Sequence, residues 1–376
     1  MNAKERLNEL RKEIDGIDGK MIALFKERME TAGRIAEIKG MENMAITDES
    51  RERQVVERAM ALAADEAQRG EVALLMRSII AISKERQRKT LFPSEWPLLP
   101  PPRKPPGGRV TCAFQGVPGA WSEQALAALF PEAEKLPVEF FEDLFVAVRE
   151  KRADYGVVAI ENSKTGAIGE TYDLLRKYGC FIVARTWIDI RHCLLAPAGV
   201  ERSDIREVFS HSEGFRQCAK FLRGKSWDLT ACRNTAVAAE TAAADKGGKT
   251  AAIGSRRAAE LNGLRVLVPD IMDSAENRTS FVVISPEPEY DESDELISFT
   301  FSTEHRSGAL CEMLLPLMAG GMNLLQLESR PSGAGKYRFF AEVRANILDE
   351  RAAATLRHAA SACEYFEVIG CYSMRG

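Results

Sequence analysis

The chain has 376 residues, of which 45% are hydrophobic and 28% are charged, and its formal net charge is -4. This length allows two or three domains, and the composition is ordinary for a globular protein. The slightly acidic balance argues against a general nucleic-acid binder and against a protein that binds membrane surfaces. No run of about 18 apolar residues occurs, so we expect no transmembrane span.

Eight cysteines and four histidines are spread along the chain. No two cysteines form a Cys-x-x-Cys pair, so the sequence indicates neither a zinc site nor a disulfide framework. The wide spacing of the histidines also argues against a metal cluster. Because free thiols are typical of a reducing compartment, and because residues 1–9 carry no apolar signal core, we expect a cytoplasmic protein.

Residues 7–39 carry an apolar pattern whose steps alternate between three and four. This spacing predicts a long helix that packs on other helices along one apolar seam. A helix over residues 5–39 is about 50 Å long at about 1.5 Å per residue. Such a helix is too long to bury its seam within one small domain, so we predict that it pairs with a second copy of the chain.

Three cations lie on or beside this seam. Arg28 takes an apolar position, and Arg11 and Lys39 border the seam. A buried guanidinium is costly unless it is paired, because it gives up its water. The helix therefore either binds an anion at this place or forms an internal ion pair, for which Glu52 is the obvious partner. The spacing alone leaves both interpretations open.

Two further helices are predicted to turn polar side chains toward a core. The second begins at Thr47 or Asp48, either of which can cap it. The third follows Gly70, and its apolar stripe, continued at helical spacing, reaches Ser83 and Gln87. Three helices that each place polar groups on a core-facing line favour a binding site more than any one of them does alone.

Four short motifs make this helical region specific: LR at residues 10–11, ERM at 27–29, IKG at 38–40 and ITDESRE at 46–52. With them, residues 1–90 resemble the all-α chorismate mutase that opens bifunctional enzymes of phenylalanine synthesis. The resemblance implies a chain of three helices that exchanges helices in a homodimer. It also implies a site made from Arg11 of one subunit and residues of the other. Those residues are Arg28, Lys39, Asp48, Arg51, Glu52, Ser83 and Gln87.

The chemistry of chorismate agrees with this set of side chains. Chorismate carries two carboxylates, which arginine binds well. Its rearrangement to prephenate is pericyclic and needs no nucleophile, so the catalyst only holds a compact conformer and stabilises charge on the ether oxygen. Lys39 and Gln87 would donate to that oxygen, and Glu52 would accept from the ring hydroxyl. For Ser83, a capping or packing role stays open.

Residues 91–108 contain seven of the sixteen prolines of the chain and end in two glycines. This composition predicts a semi-rigid, extended linker that marks a domain boundary. A proline-rich ligand for a partner domain is the alternative.

Residues 109–286 alternate short β-rich runs with helical ones, which predicts an α/β unit with a mainly parallel sheet. We predict strands at 110–114, 155–160, 181–188, 207–209 and 250–253, and helices at 121–130, 169–178, 214–222, 236–245 and 256–261. Polar clusters recur at residues 161–163, 210–212 and 234–235, each where a helix N-terminus would follow. Each cluster either binds carboxylates at a helix N-terminus or simply caps the helix.

Five segments in this region are FQGVPGAWSEQA at residues 114–125, IENSKTGAIGETYDLL at 160–175, FSHSEGFRQC at 209–218, NTAVAAE at 234–240 and AAIGS at 251–255. With them, the region resembles prephenate dehydratase. The resemblance implies two α/β lobes, like those of periplasmic binding proteins, with the site in the cleft and no metal or organic cofactor. Prephenate loses its ring hydroxyl and its carboxylate there and becomes phenylpyruvate. The implied site residues are Glu161, Asn162, Ser163, Ser210, His211, Asn234, Thr235, Thr279 and Phe281.

The signature near the end of this region departs from the family pattern. The family has Asn-any-Thr-Arg-Phe, whereas residues 277–281 read Asn-Arg-Thr-Ser-Phe. Thr279, implied to be critical for dehydration, is retained, but Ser280 replaces the arginine. Because residues 278 and 280 of an extended segment point to the same side, we hypothesise that Arg278 supplies the missing guanidinium. The alternative is that Arg278 is a surface residue and the substrate is held less tightly.

Residues 287–295 are acidic and contain proline, so we predict a second linker. Strands at 296–302, 323–329, 337–344 and 366–372, with helices at 309–319 and 348–362, give the βαββαβ order of an α+β ferredoxin-like unit. SGAL at 307–310 and ESRP at 328–331 resemble the ACT regulatory domain. The resemblance implies L-phenylalanine pockets between subunits and feedback inhibition. The implied residues are Ser307, Gly308, Ala309, Leu310, Glu328, Ser329, Arg330 and Pro331.

Together these observations predict a multidomain homodimer, with tetramers left open, that converts chorismate to prephenate and then to phenylpyruvate. Its predicted parts are residues 1–90, 91–108, 109–286 and 287–376. Three alternatives remain. The dehydratase and ACT regions could act mainly as a ligand-sensing module, the ACT region could be a dimerisation module that no longer senses a ligand, or the enzyme could prefer arogenate to prephenate.

Overall fold

A computed structural model describes residues 3–42, 44–91, 97–245, 247–333 and 335–375 of the chain. The chain divides into two compact units. The first contains residues 1–97, 303–321 and 354–365, and the second contains residues 98–302, 322–353 and 366–376. Across the described ranges, none of the helices combines the length and the apolar character that crossing a membrane requires.

Three helices form most of the first unit: α1 (Ala3–Met41), α2 (Glu49–Met60) and α3 (Glu66–Leu91). The predicted long helix is confirmed. Asp48 caps α2 by accepting a hydrogen bond from the amide of Arg51. The third helix begins earlier than predicted, and Gly70 lies inside it. Asp65 accepts from the amide of Gln68 at 2.8 Å and so caps the added turn, and one glycine inside a helix costs only about 1 kcal/mol.

The core of these helices is small, and it leaves much of α1 uncovered. Its buried members are Met29, Ala32, Ala36, Val56, Ala73 and Ile80. The seam residues nearer the N-terminus of α1 are between 47% and 66% exposed: Leu7, Leu10, Ile14, Ile17, Met21 and Leu24. A single chain therefore leaves an apolar stripe of several turns in contact with water.

The second unit begins with a lobe whose sheet has the order β5-β11-β3-β1-β2, with β4 paired to β3. These strands are β1 (Thr111–Gln115), β2 (Glu134–Val138), β3 (Tyr155–Asn162), β4 (Gly166–Ala167), β5 (Phe181–Asp189) and β11 (Arg278–Ser285), with helices α4 (Trp121–Leu129), α5 (Phe141–Arg149) and α6 (Gly169–Tyr178). Strand β1 is parallel to both neighbours, but β11 is antiparallel to β3 and β5. The prediction of a mainly parallel sheet is therefore wrong here, because β11 returns to this lobe from the other one.

A second lobe has a sheet of five strands in the order β10-β6-β9-β7-β8. They are β6 (Cys193–Ala196), β7 (Glu207–Ser210), β8 (Asp228–Ala231), β9 (Thr250–Gly254) and β10 (Arg265–Val268), with helices α7 (Ser212–Gln217), α8 (Ala219–Leu222), α9 (Thr235–Ala244) and α10 (Arg256–Leu261). The predicted helix at 214–222 is two short helices, since Cys218 leaves the helical conformation between them. Strand β8 was not predicted, because all four of its residues are exposed and carry no alternating pattern.

The C-terminal region has the predicted βαββαβ order: β12 (Leu296–Ser302), α11 (Ala309–Ala319), β13 (Leu324–Pro331), β14 (Tyr337–Arg344), α12 (Glu350–Ser361) and β15 (Tyr365–Tyr372). Its strands are ordered β13-β14-β12-β15, as in a ferredoxin-like sheet. Gly370 of β15 pairs with Ile182 of β5, which joins this sheet to the first lobe. A Cβ on Gly370 would lie 2.3 Å from the carbonyl oxygen of Ile182, so only glycine allows this approach.

Candidate active sites

Arg28 projects from α1 toward α3 and is half buried. Its Nη1 donates to the hydroxyl of Ser83, which is 6% exposed, and to the carbonyl oxygen of Ile79 at 3.4 Å. Burial lowers the pKa of Arg28, but a guanidinium stays charged in proteins. The alternative of an ion pair with Glu52 is not seen, and no carboxylate pairs with Arg28 among the described side chains. Its charge therefore lies partly desolvated and uncompensated.

Glu52 binds a different cation. Its Oε2 accepts from Nζ of Lys84 at 3.2 Å, and the Lys84 side chain is only 3% exposed. Lys84 also contacts Glu312 at 3.5 Å. The sequence did not single out Lys84, because the apolar stripe of α3 points to Ser83 and Gln87 instead. Gln87 is 8% exposed, and its Oε1 has no hydrogen-bond partner in the part of the chain that the structure describes.

Among the other predicted side chains of this region, Lys39 and Asp48 bind groups that are close to them in the chain. Lys39 donates to the carbonyl oxygen of Ile46 at 2.5 Å. Asp48 accepts from the amide of Arg51 at 2.9 Å, which is its role as the cap of α2. Arg11 is exposed and precedes Arg28 by 17 residues, which is roughly 25 Å along a helix. Arg11 and Arg28 of one chain therefore cannot bind the same small molecule.

A cleft of about 440 Å³ lies between the two lobes of the second unit. Six predicted site residues line it: Asn162, His211, Asn234, Thr235, Thr279 and Phe281. Trp121, His192 and Gln217 line it as well and were not predicted. The cleft is thus built from helix N-termini and strand ends of both lobes, all from one chain.

Asn162 fixes the hydroxyl of Thr279 at the end of β3. Its Nδ2 donates to Thr279 Oγ1 at 3.0 Å and to Asn277 Oδ1 at 3.0 Å. Its Oδ1 accepts from the amide of Lys164 at 2.9 Å, which settles the orientation of the side-chain amide. Because Thr279 Oγ1 accepts from Asn162, the hydroxyl proton of Thr279 is left to donate to another group.

His192 and Gln217 form a second polar group in the cleft. Gln217 Oε1 accepts from Asn277 Nδ2 at 2.7 Å and lies 2.9 Å from His192 Nε2, while its Nε2 donates to Glu213 at 3.1 Å. The proton of His192 is therefore assigned to Nε2, and Nδ1 is a bare acceptor. Burial lowers the pKa of His192, so the ring is neutral near pH 7.

Three buried polar atoms of the cleft residues lack a partner within the described residues: Trp121 Nε1, His192 Nδ1 and Asn234 Nδ2. Asn234 caps α9, since its Oδ1 accepts from the amides of Ala236 at 3.0 Å and Val237 at 2.8 Å. The cap uses only the oxygen, so its Nδ2 remains a donor. The capping role and a ligand-binding role of Asn234 are therefore compatible.

Known proteins resemble both parts of the chain. A family model described as chorismate mutase type II matches residues 10–88, and one described as prephenate dehydratase matches residues 112–289. The bifunctional chorismate mutase/prephenate dehydratase of Escherichia coli (strain K12) is 31% identical over 99% of this chain and 97% of its own. The chain belongs to this bifunctional family. It is an enzyme of phenylalanine biosynthesis with a helical mutase region and an α/β dehydratase region.

The dehydratase and C-terminal regions have further relatives. Arogenate dehydratase/prephenate dehydratase 1 of Arabidopsis thaliana is 34% identical over 71% of this chain and 72% of its own. The crystal structure of an Arthrobacter aurescens prephenate dehydratase in complex with L-Phe has a TM-score of 0.65 and 28% identity, covering 70% of this chain and 90% of that one. A quorum-quenching acylase, GqqA, has a TM-score of 0.65 and 29% identity, covering 70% and 97%.

Three predicted dehydratase residues lie outside the cleft and support the fold around it. Ser210 is fully buried and donates to the carbonyl oxygen of Ile253 at 3.0 Å. Ser163 joins the end of β3 to β11, because its Oγ accepts from the amide of Arg278 at 3.0 Å. Glu161 accepts from Arg185 Nη2 at 2.8 Å and does not line the cleft.

Arg278 does not take the place of the signature arginine. Its side chain is 58% exposed, and its Nε donates to Asp189 at 2.7 Å. Thr279 and Phe281 line the cleft, so the side chains between and before them face away from it. The surface alternative is the one that the structure supports. The guanidinium beside Ser280 belongs to Arg185 instead, whose Nε donates to Ser280 Oγ at 2.6 Å.

The two predicted regulatory segments lie in different compact units, and each has a defined local structure. In the first unit, Gly308 caps α11 with a φ of 83°, a left-handed conformation that favours glycine, and Ala309 begins the helix. In the second unit, residues 328–331 end β13, and Arg330 Nη2 donates to Asp173 at 2.9 Å. The effector pocket itself stays a prediction.

Proposed function

We propose that the helices bind the dianion chorismate through Arg28 and the polar side chains around it. The observation that carries this proposal is a half-buried guanidinium that no described carboxylate neutralises. Lys39 and Gln87 would donate to the ether oxygen, and Glu52, held by Lys84, would accept from the ring hydroxyl. These contacts select the compact conformer and stabilise charge that develops only in the transition state.

We further propose that the mutase site is shared between two copies of the chain. Arg11 lies roughly 25 Å from Arg28 along the same helix, so a second copy must bring its own Arg11 to the site. The exposed seam of α1 supports this arrangement, because a stripe of half-exposed leucine and isoleucine side chains is stabilised when another helix covers it. Whether the dimers associate into tetramers is a separate question that sedimentation can answer.

In the dehydratase cleft, we propose that Thr279 donates a hydrogen bond to the departing ring hydroxyl of prephenate. Asn162 orients the threonine by donating to its oxygen. As the carbon–carbon bond to the ring carboxylate breaks, the carboxylate leaves as carbon dioxide and the electron pair of that bond completes the aromatic ring. The ring hydroxyl takes up a proton from solvent and leaves as water. Trp121 Nε1 and Asn234 Nδ2, which have no partner among the described residues, are suited to donate to the pyruvyl carboxylate. No cofactor takes part in this proposal.

A second candidate substrate is arogenate, whose side chain carries an ammonium group where prephenate has a ketone. Glu170 of the cleft lining favours this alternative, because a carboxylate can pair with an ammonium group. Glu139 and Glu213 also line the cleft, but they are already paired with Arg233 and Arg216. Measuring kcat/KM for both substrates decides the preference. We expect prephenate to be preferred, since it is the product of the mutase on the same chain.

We propose that the C-terminal region is an ACT domain that binds L-phenylalanine and inhibits the dehydratase. The ferredoxin-like strand order and the left-handed Gly308 before α11 support this, because free amides at a helix start bind a carboxylate. Replacing Gly308 with valine should abolish phenylalanine binding in calorimetry without changing mutase turnover. A dimerisation module that binds no phenylalanine is the alternative.

We place the enzyme in the cytoplasm as part of the same proposal. No disulfide joins the cysteines in the described part of the chain, and burial raises the pKa of several of their thiols, for example to about 12 for Cys112 and Cys218. Thiols of this kind are inert and suit a reducing compartment. Neither a membrane nor a nucleic acid is a partner in this proposal.

One assay tests the combined function. The purified chain is incubated with chorismate, and prephenate and phenylpyruvate are followed with time, the latter by its absorbance in alkali. We expect prephenate to appear first and phenylpyruvate to follow. Prephenate that accumulates without phenylpyruvate would instead support the alternative in which the dehydratase and C-terminal regions only sense a ligand.

A further inference from the structure

Arg185 is buried between the dehydratase strands and the C-terminal sheet, and the mechanism above does not use it. It lies on β5, opposite Val282 of β11, and is 5% exposed. We infer that Arg185 replaces the signature arginine that is absent at position 280, and that it is a positioning residue for the dehydratase reaction.

All three guanidinium nitrogens of Arg185 have acceptors. Nε donates to Ser280 Oγ at 2.6 Å, Nη2 to Glu161 at 2.8 Å, and Nη1 to both oxygens of Glu342 at 2.8 and 2.7 Å. Ser280 is fully buried. A serine at this position leaves the space that a longer side chain would fill, and the guanidinium from the neighbouring strand occupies it. The charge is therefore kept at this place although the residue that carries it has changed.

The register of the sheet shows what this guanidinium holds. Thr279 pairs with Asn162 across β11 and β3, and these two side chains line the cleft. The next pair is Ser280 with Glu161, whose side chains face the opposite side of the sheet and both bind Arg185. Arg185 thus joins the two strand ends directly behind the pair that lines the cleft. A small displacement of either strand end would move the Thr279 hydroxyl.

The same guanidinium also reaches the C-terminal sheet. Glu342 of β14 accepts from the Tyr372 hydroxyl at 2.6 Å, and that hydroxyl lies 2.6 Å from Ser298 Oγ. Glu342 and Tyr372 are buried, so removing Arg185 would leave the Glu342 carboxylate buried without a neutralising cation. If the proposed phenylalanine inhibition holds, a change at Arg185 should therefore alter the inhibition as well as the turnover.

The test compares wild type, Arg185→Met, Ser280→Arg and the double variant Arg185→Met/Ser280→Arg. We expect Arg185→Met to lower the dehydratase kcat by about 10- to 100-fold with little change in KM, because the reacting groups are misplaced rather than lost. The double variant should recover most of this loss, since it returns the guanidinium to the signature position. Ser280→Arg alone should be impaired, because two guanidinium groups would compete for one buried space.

Three controls separate a positioning role from a failure to fold. Mutase turnover reports the amount of intact chain, and near-ultraviolet circular dichroism with urea unfolding shows whether the dehydratase region is folded. Arg278→Met removes an exposed arginine of β11, the strand that pairs with β5, and should leave the dehydratase kcat unchanged. Should Arg185→Met not fold, Arg185→Lys keeps the charge but loses the shared geometry, and it should still lower kcat.

Full dehydratase activity in a folded Arg185→Met variant would overturn the inference, as would a double variant no more active than the single one. Wild-type protein that forms no phenylpyruvate would instead reject the proposed reaction, so the two failures are distinguishable.

Discussion

The mutase helices and the dehydratase cleft hold their polar groups in different ways. In the cleft, one chain supplies both walls. Asn277 accepts from Asn162 and donates to Gln217, and Gln217 in turn binds His192. In the helices, Arg28 is half buried with no carboxylate partner among the described side chains, and the seam beside Arg11 is exposed. A site that is complete in one chain has its partners in place, whereas an incomplete site leaves charge and apolar surface uncovered.

The contrast between a complete dehydratase cleft and an incomplete mutase site is tested most strongly at Thr279. Replacing Thr279 with valine removes the hydroxyl but keeps the shape, and we expect the dehydratase kcat to fall by about 100-fold or more, the usual cost of losing one transition-state donor. Thr279→Ser keeps the donor and should retain most of the activity. Mutase turnover, measured with chorismate, should stay at the wild-type level in both variants. A Thr279→Val enzyme with normal kcat would contradict the assignment.

The exposed seam gives the next largest effect. Ile14→Glu together with Ile17→Glu places charge in the predicted helix pairing, which should separate the chains because a buried unpaired carboxylate is costly. Mutase turnover should then fall at least about tenfold at low protein concentration and recover in part at high concentration. Dehydratase turnover should persist, because its cleft lies within one chain. Analytical ultracentrifugation reports the association directly. Equal loss of both activities would contradict the claim that only the mutase site needs a second chain.

His192 makes the stability of the dehydratase region depend on pH. Burial lowers its pKa from 6.5, so the unfolded chain binds a proton at a higher pH than the folded chain does. Its contribution to the free energy of unfolding is therefore complete above about pH 6.5 and is lost as the pH falls through the window below that value. Urea unfolding at several pH values measures this. His192→Asn should flatten the dependence, and an unchanged pH profile would show that another group titrates.

Asp48 gives the smallest expected effect. It caps α2, so Asp48→Ala should lower the free energy of unfolding of the helical unit by about 1 kcal/mol. Asp48→Asn keeps a good cap and should keep the stability. If both variants also raise the KM for chorismate, the side chain acts in binding as well as in capping. Stability unchanged in Asp48→Ala would mean that the cap is not formed in solution.

Local patterns predicted the fold well where the chain is strongly periodic. The bounds of α6, α10, α11, β12 and β14 agree with the predictions because turn residues and apolar alternation mark both ends. Strands β2 and β8 were missed, since their residues are mostly exposed and carry little apolar signal. Helix α5 was missed although four of its residues are buried, because it follows a strand that was itself not predicted.

In the dehydratase cleft, the sequence predicted only residues that lie in or beside segments resembling the family. Asn162, Asn234 and Thr279 lie in segments whose resemblance to a family is specific, and the structure brings all three to the cleft. Gln217 lies within the matching segment at residues 209–218 but was not singled out, and His192 lies outside the matching segments. Arg185 meets Ser280 and Glu342 across 95 and 157 residues of chain, a distance over which no local pattern carries information. The hypothesis that Arg278 supplies the missing guanidinium considered only neighbouring positions in the sequence. The guanidinium beside Ser280 comes instead from Arg185, 95 residues away.

The measurement that tests the central claim most directly is a mixing experiment with the mutase. Arg11→Ala and Arg28→Ala are each expected to be inactive alone, because every site needs both residues. When the two variants are mixed, unfolded and refolded together, half of the dimers combine one chain of each, and half of their sites are intact. About a quarter of the wild-type mutase turnover should return if the site is shared within a symmetric dimer. No recovery, with dimers confirmed by ultracentrifugation, would mean that one chain makes the whole site.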